Sequence, residues 1–231
     1  MQYGEIYKLG EHKLMCGDAT RREDVYKLAV NEQVDLVLQD PPYGINVQAK
    51  KGNGSIGSVG NSYPKCIGDN DTSMCRENYQ IIRTLCNSLI IFGGQNFTDF
   101  LPPTCGWIFW DKCKNSDKLS FSDGELAWSN CSKRIKKYSH KWNGYTREGS
   151  RELNERVHVN QKPVELFMKI IEDFTCENNT ILDCFGGSGT TLIACEQVKR
   201  KCLMMEISRE YCDLIIKRYE DLTGIKAERI D

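Results

Sequence analysis

The 231-residue chain lacks several features that would fix a class at once. Its longest apolar runs, such as Leu89–Gly94, are about six residues, far short of the ~20 that a membrane-crossing helix needs. Met1–Gly10 has no signal-peptide pattern, so the chain reads as cytoplasmic with no membrane partner. No two of the twelve cysteines are separated by only two residues, so the paired knuckles of a zinc site are missing and no metal is expected. Without a secretion signal a disulfide framework is not expected either, and the cysteines read as reduced packing residues. None of the six prolines precedes a cysteine. The formal net charge is −1, so the chain as a whole does not advertise a polyanionic partner.

What is present suits one α/β domain spanning 1–231, with 40% hydrophobic and 27% charged residues. Short apolar or β-branched runs at Val34–Leu38, Ser88–Phe92, Trp107–Trp110, Leu126–Trp128, Thr180–Cys184 and Cys202–Met205 read as strands, several buried on both faces. Apolar stripes at helical spacing fall at Tyr79–Leu85, Val164–Ile171 and Thr191–Val198. Ser208 reads as the N-cap of a helix carrying Tyr211, Leu214, Ile215, Tyr219 and Leu222. Strands alternating with helices predict a mostly parallel sheet with helices on both faces and ligand sites at the carboxyl ends of the strands.

Two stretches break this pattern, and both are candidate insertions: 46–66 and 112–157. Asn46–Lys65 holds Gly52, Gly54, Gly57 and Gly60 with Lys50, Lys51 and Lys65 and no acidic residue, the composition of a mobile loop. Cys131–Arg156 carries Lys133, Arg134, Lys136, Lys137, Lys141, Arg147, Arg151 and Arg156 against Glu148, Glu152 and Glu155, a local balance of +5. Tyr138, Trp142 and Tyr145 are interleaved with them. Basic side chains so clustered suit phosphates, although a solvated charged face has the same composition. Trp128 and Trp142 also suit a core, and His140 and His158 read as ordinary surface or packing histidines.

Asp40-Pro41-Pro42-Tyr43 follows the strand at Val34–Leu38 directly. Two prolines fix the backbone and remove two N–H donors, which leaves carbonyl oxygens near Asp40 and Pro41 as acceptors. A carboxylate and a carbonyl together can accept both hydrogens of an amino group, while Tyr43 offers a ring face for a base. Taken alone, such a motif is also a common turn. The second motif, Asp183-Cys184-Phe185-Gly186-Gly187-Ser188-Gly189-Thr190-Thr191, links a strand to a helix; its glycines allow close backbone approach, and Asp183 can bind an amine or hydroxyl. Glu206 ends the next strand about 20 residues on, where an acid suits the hydroxyls of a ribose. Without a lysine after the last glycine, a nucleoside cofactor fits this half-site better than a triphosphate.

With these motifs in this order, the chain resembles the β-class amino-methyltransferases of DNA over most of its length. Asp40-Pro41-Pro42-Tyr43 matches the catalytic motif of that family and Phe185–Thr191 its loop for the methionine end of the cofactor. Met15-Cys16-Gly17-Asp18 looks like the segment that contacts the cofactor adenine through Asp18, and His158-Val159-Asn160-Gln161-Lys162-Pro163 is similar to the segment that packs over the cofactor. Cys184 and Val159 depart from the family by replacing prolines. The resemblance implies a Rossmann-like fold, S-adenosyl-L-methionine as cofactor, and cofactor contacts at Asp18, Asp40, Lys162, Asp183, Phe185, Gly186, Gly187, Ser188, Gly189, Thr190 and Glu206. It further implies double-stranded DNA as substrate, a base flipped onto Tyr43, and direct attack by the base amine. Lys50, Lys51, Lys133, Arg134, Lys136, Lys137, Lys141 and Arg147 become candidate nucleic-acid contacts.

Asp40 stands where cytosine-modifying members tend to carry serine, which favours adenine N6 over cytosine N4. A cytosine-carbon enzyme would use a cysteine nucleophile, usually after proline, and that dipeptide is missing. An RNA or protein-amide methyltransferase and a silent nucleic-acid-binding module are the alternatives, the last disfavoured by intact Asp40 and Gly186–Gly189. A homodimer and a cognate restriction enzyme are partners the resemblance leaves open. The short target-reading region suggests a short or relaxed recognition site.

Overall fold

A computed structural model of the protein describes residues 1–44, 70–112, 122–141 and 161–231. The Asn46–Lys65 stretch with Lys50 and Lys51, and Trp142, Tyr145, Arg147, Arg151, Arg156 and His158–Asn160, lie outside the described residues.

The described residues form one ten-stranded sheet. In chain order its strands are β1 (Ile6–Leu9), β2 (His12–Cys16), β3 (Leu36–Gln39), β4 (Leu89–Phe92), β5 (Ile108–Asp111), β6 (Gly124–Ser129), β7 (Lys136–Ser139), β8 (Thr180–Asp183), β9 (Lys201–Glu206) and β10 (Glu228–Arg229). The helices are α1 (Arg22–Leu28), α2 (Ser73–Ile82), α3 (Val164–Phe174), α4 (Thr190–Gln197) and α5 (Arg209–Thr223). The order across the sheet is β10-β1-β2-β9-β8-β3-β4-β6-β5-β7. From β2 to β4 every pairing is parallel, whereas β6 is antiparallel to both β4 and β5, and β1 is antiparallel to both its neighbours. The expected parallel sheet is thus its centre, flanked by antiparallel strands.

Side-chain alternation explains why the central strands read as unbroken apolar runs. Leu36, Leu38, Ile90, Phe92, Ile181, Cys202 and Met204 join one core with Val164, Leu192 and Ile215 from α3, α4 and α5. Val37, Leu89, Ile91, Leu182, Leu203 and Met205 join the opposite core with Val25 of α1 and Ile82 of α2. Successive residues point to opposite faces, so a strand covered on both sides needs apolar residues throughout.

The Ser208 cap is present: its side chain accepts the Tyr211 N–H at the start of α5, and Gly224 closes that helix at φ +73°. Seven of the ten described cysteines are buried and all ten are free, in line with a packing role. Trp128 is a core residue whose indole N–H donates to the Pro102 carbonyl, and His140 is buried.

The basic segment is not a uniform charged surface. Lys136 and Lys137 lie in β7, at the edge of the sheet, and pair with Asp173 at 3.0 Å and Asp111 at 2.8 Å. Tyr138, next in the strand, is buried and donates to Asp173. Charged side chains on an edge strand discourage further strand pairing, which explains a strand with so polar a sequence. Lys133 and Arg134 are exposed in the turn that precedes it.

Candidate active site

Chain direction makes the crevice. β3 leads through α2 to β4 on one side, and β8 leads through α4 to β9 on the other, while β3 and β8 are themselves adjacent. Such a reversal leaves a gap outside the carboxyl ends of the two strands, where ligands of open α/β sheets bind. Asp40 follows β3 and Asp183 ends β8, so the two sequence motifs meet there.

Tyr43 donates its hydroxyl to Asp40 Oδ1, and Lys162 Nζ lies 2.6 Å from Asp40 Oδ2 and 3.3 Å from the Tyr43 hydroxyl. The Tyr43 ring meets Phe97 edge-on, and the Lys162 ammonium lies 5.6 Å from the centroids of both Tyr43 and Phe92. Gly93, at φ +70°, makes room: a Cβ there would fall 2.2 Å from the Tyr43 ring. Burial pushes the Asp40 carboxyl up, against the pull of Lys162. Burial pushes the Tyr43 hydroxyl well up, assisted by the Asp40 charge. Lys162 is held well above its ordinary value because Asp40, Tyr43 and Glu125 outweigh its desolvation.

The glycine loop is braced from both sides. Asp183 accepts the Phe185 N–H at 2.9 Å and the Thr191 hydroxyl, and burial pushes it up to about 7. Glu206 accepts the Gly187 N–H at 2.7 Å and the Ser208 N–H at 2.8 Å, with its pKa raised by burial. Gly186 packs tightly, since a Cβ would meet Met204 at 2.8 Å, whereas at Gly187, φ +52°, the nearest atom would be 4.0 Å away. Ser188 shares a hydroxyl contact with Thr190, and the Thr190 hydroxyl donates to the Lys162 carbonyl at 3.3 Å. Lys162 therefore joins the glycine loop through its backbone and Asp40 through its side chain.

Asp18 lies just past β2, beside Glu206: the Gly17 N–H donates to the Glu206 carbonyl at 3.1 Å. Its Oδ1 accepts from the backbone and hydroxyl of Thr20 at 2.8 and 2.7 Å. Asp18, Glu206 and Asp183 thus follow or end β2, β9 and β8, three adjacent strands. Three carboxylates around an open glycine turn, Asp183 and Glu206 of them buried, suit a ligand with hydroxyls, amines and positive charge.

Several participants were not singled out from sequence. Glu125, Lys112, Phe92 and Gly93 complete the Asp40 side. Asn78 of α2, fully buried, accepts from the Gln39 side chain at 2.8 Å and donates to the Ala19 carbonyl at 3.0 Å, joining the end of β3 to the Asp18 loop. The Gly93-Gly94 pair after an apolar run was the one local signal among these.

A family model described as DNA methylase, for N6 and N4 methyltransferases, matches residues 104–217. The Type II methyltransferase M2.MboI of Moraxella bovis is 26% identical over 231 aligned positions, covering 84% of each chain. Over residues 104–217 the chain resembles the N6/N4 DNA methylases. A putative methylase of Escherichia coli K12, YubD, is 25% identical over 77% of this chain and 78% of its own length. Among solved structures, the cytosine-N4-specific PvuII DNA methyltransferase superposes with a TM-score of 0.61 at 15% identity, over 96% of this chain and 94% of its own. The M1.HpyAVI–SAM complex superposes at 0.53 and 23% identity, covering 89% and 98%. S-adenosylmethionine is the cofactor of the family. The matched segment runs from just before β5 into α5, so Asp40 lies upstream of it and is tied in through Lys162.

Proposed function

We propose that this protein modifies the N6 amine of adenine in duplex DNA, as a sequence-specific enzyme whose 1–231 chain acts as one catalytic domain. The observation that carries the proposal is the meeting of Asp40-Pro41-Pro42-Tyr43 with the glycine loop at the β3/β8 crevice. The Asp40 carboxylate and the Pro41 carbonyl accept the two hydrogens of an amino group, which turns the nitrogen lone pair toward the glycine loop. The ring of Tyr43 supplies a stacking face, in line with a base taken out of the helix at a cost of a few kcal/mol that backbone contacts must offset. Aspartate rather than serine at position 40 supports adenine over cytosine.

S-adenosylmethionine, when bound, supplies an electrophilic methyl group on a sulfonium. Asp18 is assigned to its adenine, Glu206 to its ribose, and Asp183 with Phe185–Thr190 to its methionine end; the open space at Gly187 and the buried carboxylates fit that set. Lys133 and Arg134, exposed before β7, are proposed phosphate contacts, together with Lys50, Lys51, Lys141 and Arg147. Lys136 and Lys137 take a weaker share because Asp173 and Asp111 already hold them. A cognate restriction enzyme belongs to the same reading, since M2.MboI is a Type II methyltransferase, and a homodimer is read out by sedimentation.

Incubation with labelled S-adenosylmethionine and unmethylated duplex DNA, followed by nucleoside analysis, tests the reading. N6-methyladenine is expected. N4-methylcytosine would move the target to the other amine, and unlabelled DNA with intact cofactor binding would overturn the DNA substrate in favour of RNA, a protein amide or a silent module.

A further inference from the structure

One half-buried charge beside the crevice has no part in the roles assigned so far. Glu125, in β6, sits two strands from β3 across β4. Its Oε2 lies 3.2 Å from Lys162 Nζ, and its Oε1 lies 2.6 Å from Lys112 Nζ. The Lys162 side chain is only 8% exposed, so its three ammonium hydrogens depend on protein acceptors. Among the described residues it donates to Asp40 at 2.6 Å and to the Tyr43 hydroxyl at 3.3 Å, and the Glu125 carboxylate lies at ion-pair distance, 3.2 Å.

We propose that Glu125 is a positioning residue for methyl transfer: it holds the Lys162 ammonium between two carboxylates, so that Asp40 is fixed in direction yet keeps acceptor capacity for the target amine. Lys112 holds Glu125 in turn. The inference rests on reading Asp40 as the acceptor of that amine. Without Glu125 the ammonium has Asp40 as its single carboxylate partner among the described residues, and the oxygen meant for the amine is bound more tightly by lysine. Sharing a cation between two anions weakens its hold on each, which is how Glu125 acts without touching the base.

The charged and titratable groups facing Lys162 and Asp40 are Tyr43, Glu125, Lys112 beyond it, and Asp183, which feels the Asp40 charge. Removing the negative charge of Glu125 removes a repulsion on Asp40, so the acid limb of activity moves to lower pH. Removing Lys162 removes an attraction, so that limb moves to higher pH. A purely structural role would lower melting temperature and leave both limbs in place.

The test compares the full-length parent with Glu125→Gln, Lys112→Met and Lys162→Met. Steady-state methyl transfer to duplex DNA is measured across pH, and acetylation of Lys162 in mildly alkaline buffer without substrate is followed by mass spectrometry. Glu125→Gln is expected to lower kcat about tenfold, the equivalent of one pKa unit, with the KM for cofactor unchanged. Lys162 is expected to acetylate about tenfold faster in that variant, as its pKa falls by about a unit. Lys112→Met frees Glu125 for Lys162 alone, so acetylation of Lys162 should there be slower than in the parent, and this variant stands in if Glu125→Gln does not fold. Parent values of kcat, acid limb and acetylation in these variants would overturn the inference. A parent that leaves DNA unlabelled would instead overturn the DNA reading, while the acetylation rates still decide whether Glu125 holds Lys162.

Discussion

The two ends of the central strands both hold carboxylates, and they treat them in opposite ways. At the amino ends, His12 opens β2, accepts the Cys202 N–H of β9 through Nδ1 at 3.0 Å, and donates from Nε2 to Glu196 of α4 at 2.8 Å. Tyr219 of α5 donates to the same Glu196 oxygen and packs edge-on against the imidazole at 5.7 Å. The His12 hydrogen bond pulls the Glu196 carboxyl below its ordinary value. At the carboxyl ends, by contrast, burial raises Asp40, Asp183 and Glu206. A carboxylate held below its ordinary value stabilises the fold in its charged form; one raised by burial has been desolvated for another purpose. The first end fastens strands to helices, and the second keeps acceptors available to a ligand.

If that division holds, substitutions at the two ends should separate affinity from stability. The largest effect is expected at Gly187→Val, which forces a β-branched residue to φ +52° and displaces the N–H that braces Glu206. Calorimetric titration should show S-adenosylmethionine binding weakened by about 100-fold, the scale on which small misplacements act. At the other end, His12→Ala should cost about 2 kcal/mol in urea unfolding, because the Cys202 N–H and Glu196 both lose a buried partner. Its methyl-transfer rate under folding conditions should match the parent; a lost rate would mean that the two ends are coupled.

A pH series sharpens the contrast. Because the folded Glu196 carboxyl lies below its ordinary value of 4.5, the stability it contributes is fully present above that pH and disappears as pH falls through the folded value. In Glu196→Gln, the fall in urea midpoint below pH 4.5 should therefore be shallower than in the parent. The smallest effect is expected for Tyr138→Phe at the sheet edge. It removes one hydrogen bond to Asp173, which keeps Lys136, and should cost about 1 kcal/mol by the same denaturation measurement.

The parts of this molecule legible in its sequence are those whose reason is local. Val34–Leu38 and Thr180–Cys184 announced strands because burial on both faces demands apolar residues throughout, and Ser208 announced a helix because a cap bonds within one turn. Asp40-Pro41-Pro42-Tyr43 and the glycine loop were readable because backbone geometry dictates proline and glycine there. The short strands β1, β2, β7 and β10 were not read: β7 is polar because it lies at an edge and its lysines pair with Asp111 and Asp173. The short α1 was missed as well, with three of its seven residues buried. Nor was Glu125 readable, since its meaning depends on Lys162, whose place beside it is set by the β4/β6 pairing and the crossing into α3. Lys162 itself was read only through the likeness of His158–Pro163 to a segment that packs over the cofactor, and its ammonium's place on Asp40 depends on elements far apart in the chain.

The most direct test of the central claim is single-turnover methyl transfer by the parent and Asp40→Ala, with S-adenosylmethionine binding and melting temperature recorded on the same samples. Glu125 remains as a partner for Lys162 in that variant, so the fold should survive the loss. The account predicts that Asp40→Ala still binds cofactor, weakened only by the loss of its own contact, and melts like the parent but leaves DNA unlabelled even at saturating cofactor. Transfer by Asp40→Ala at the parent's rate would contradict it, and the acceptor of the target amine would have to lie elsewhere.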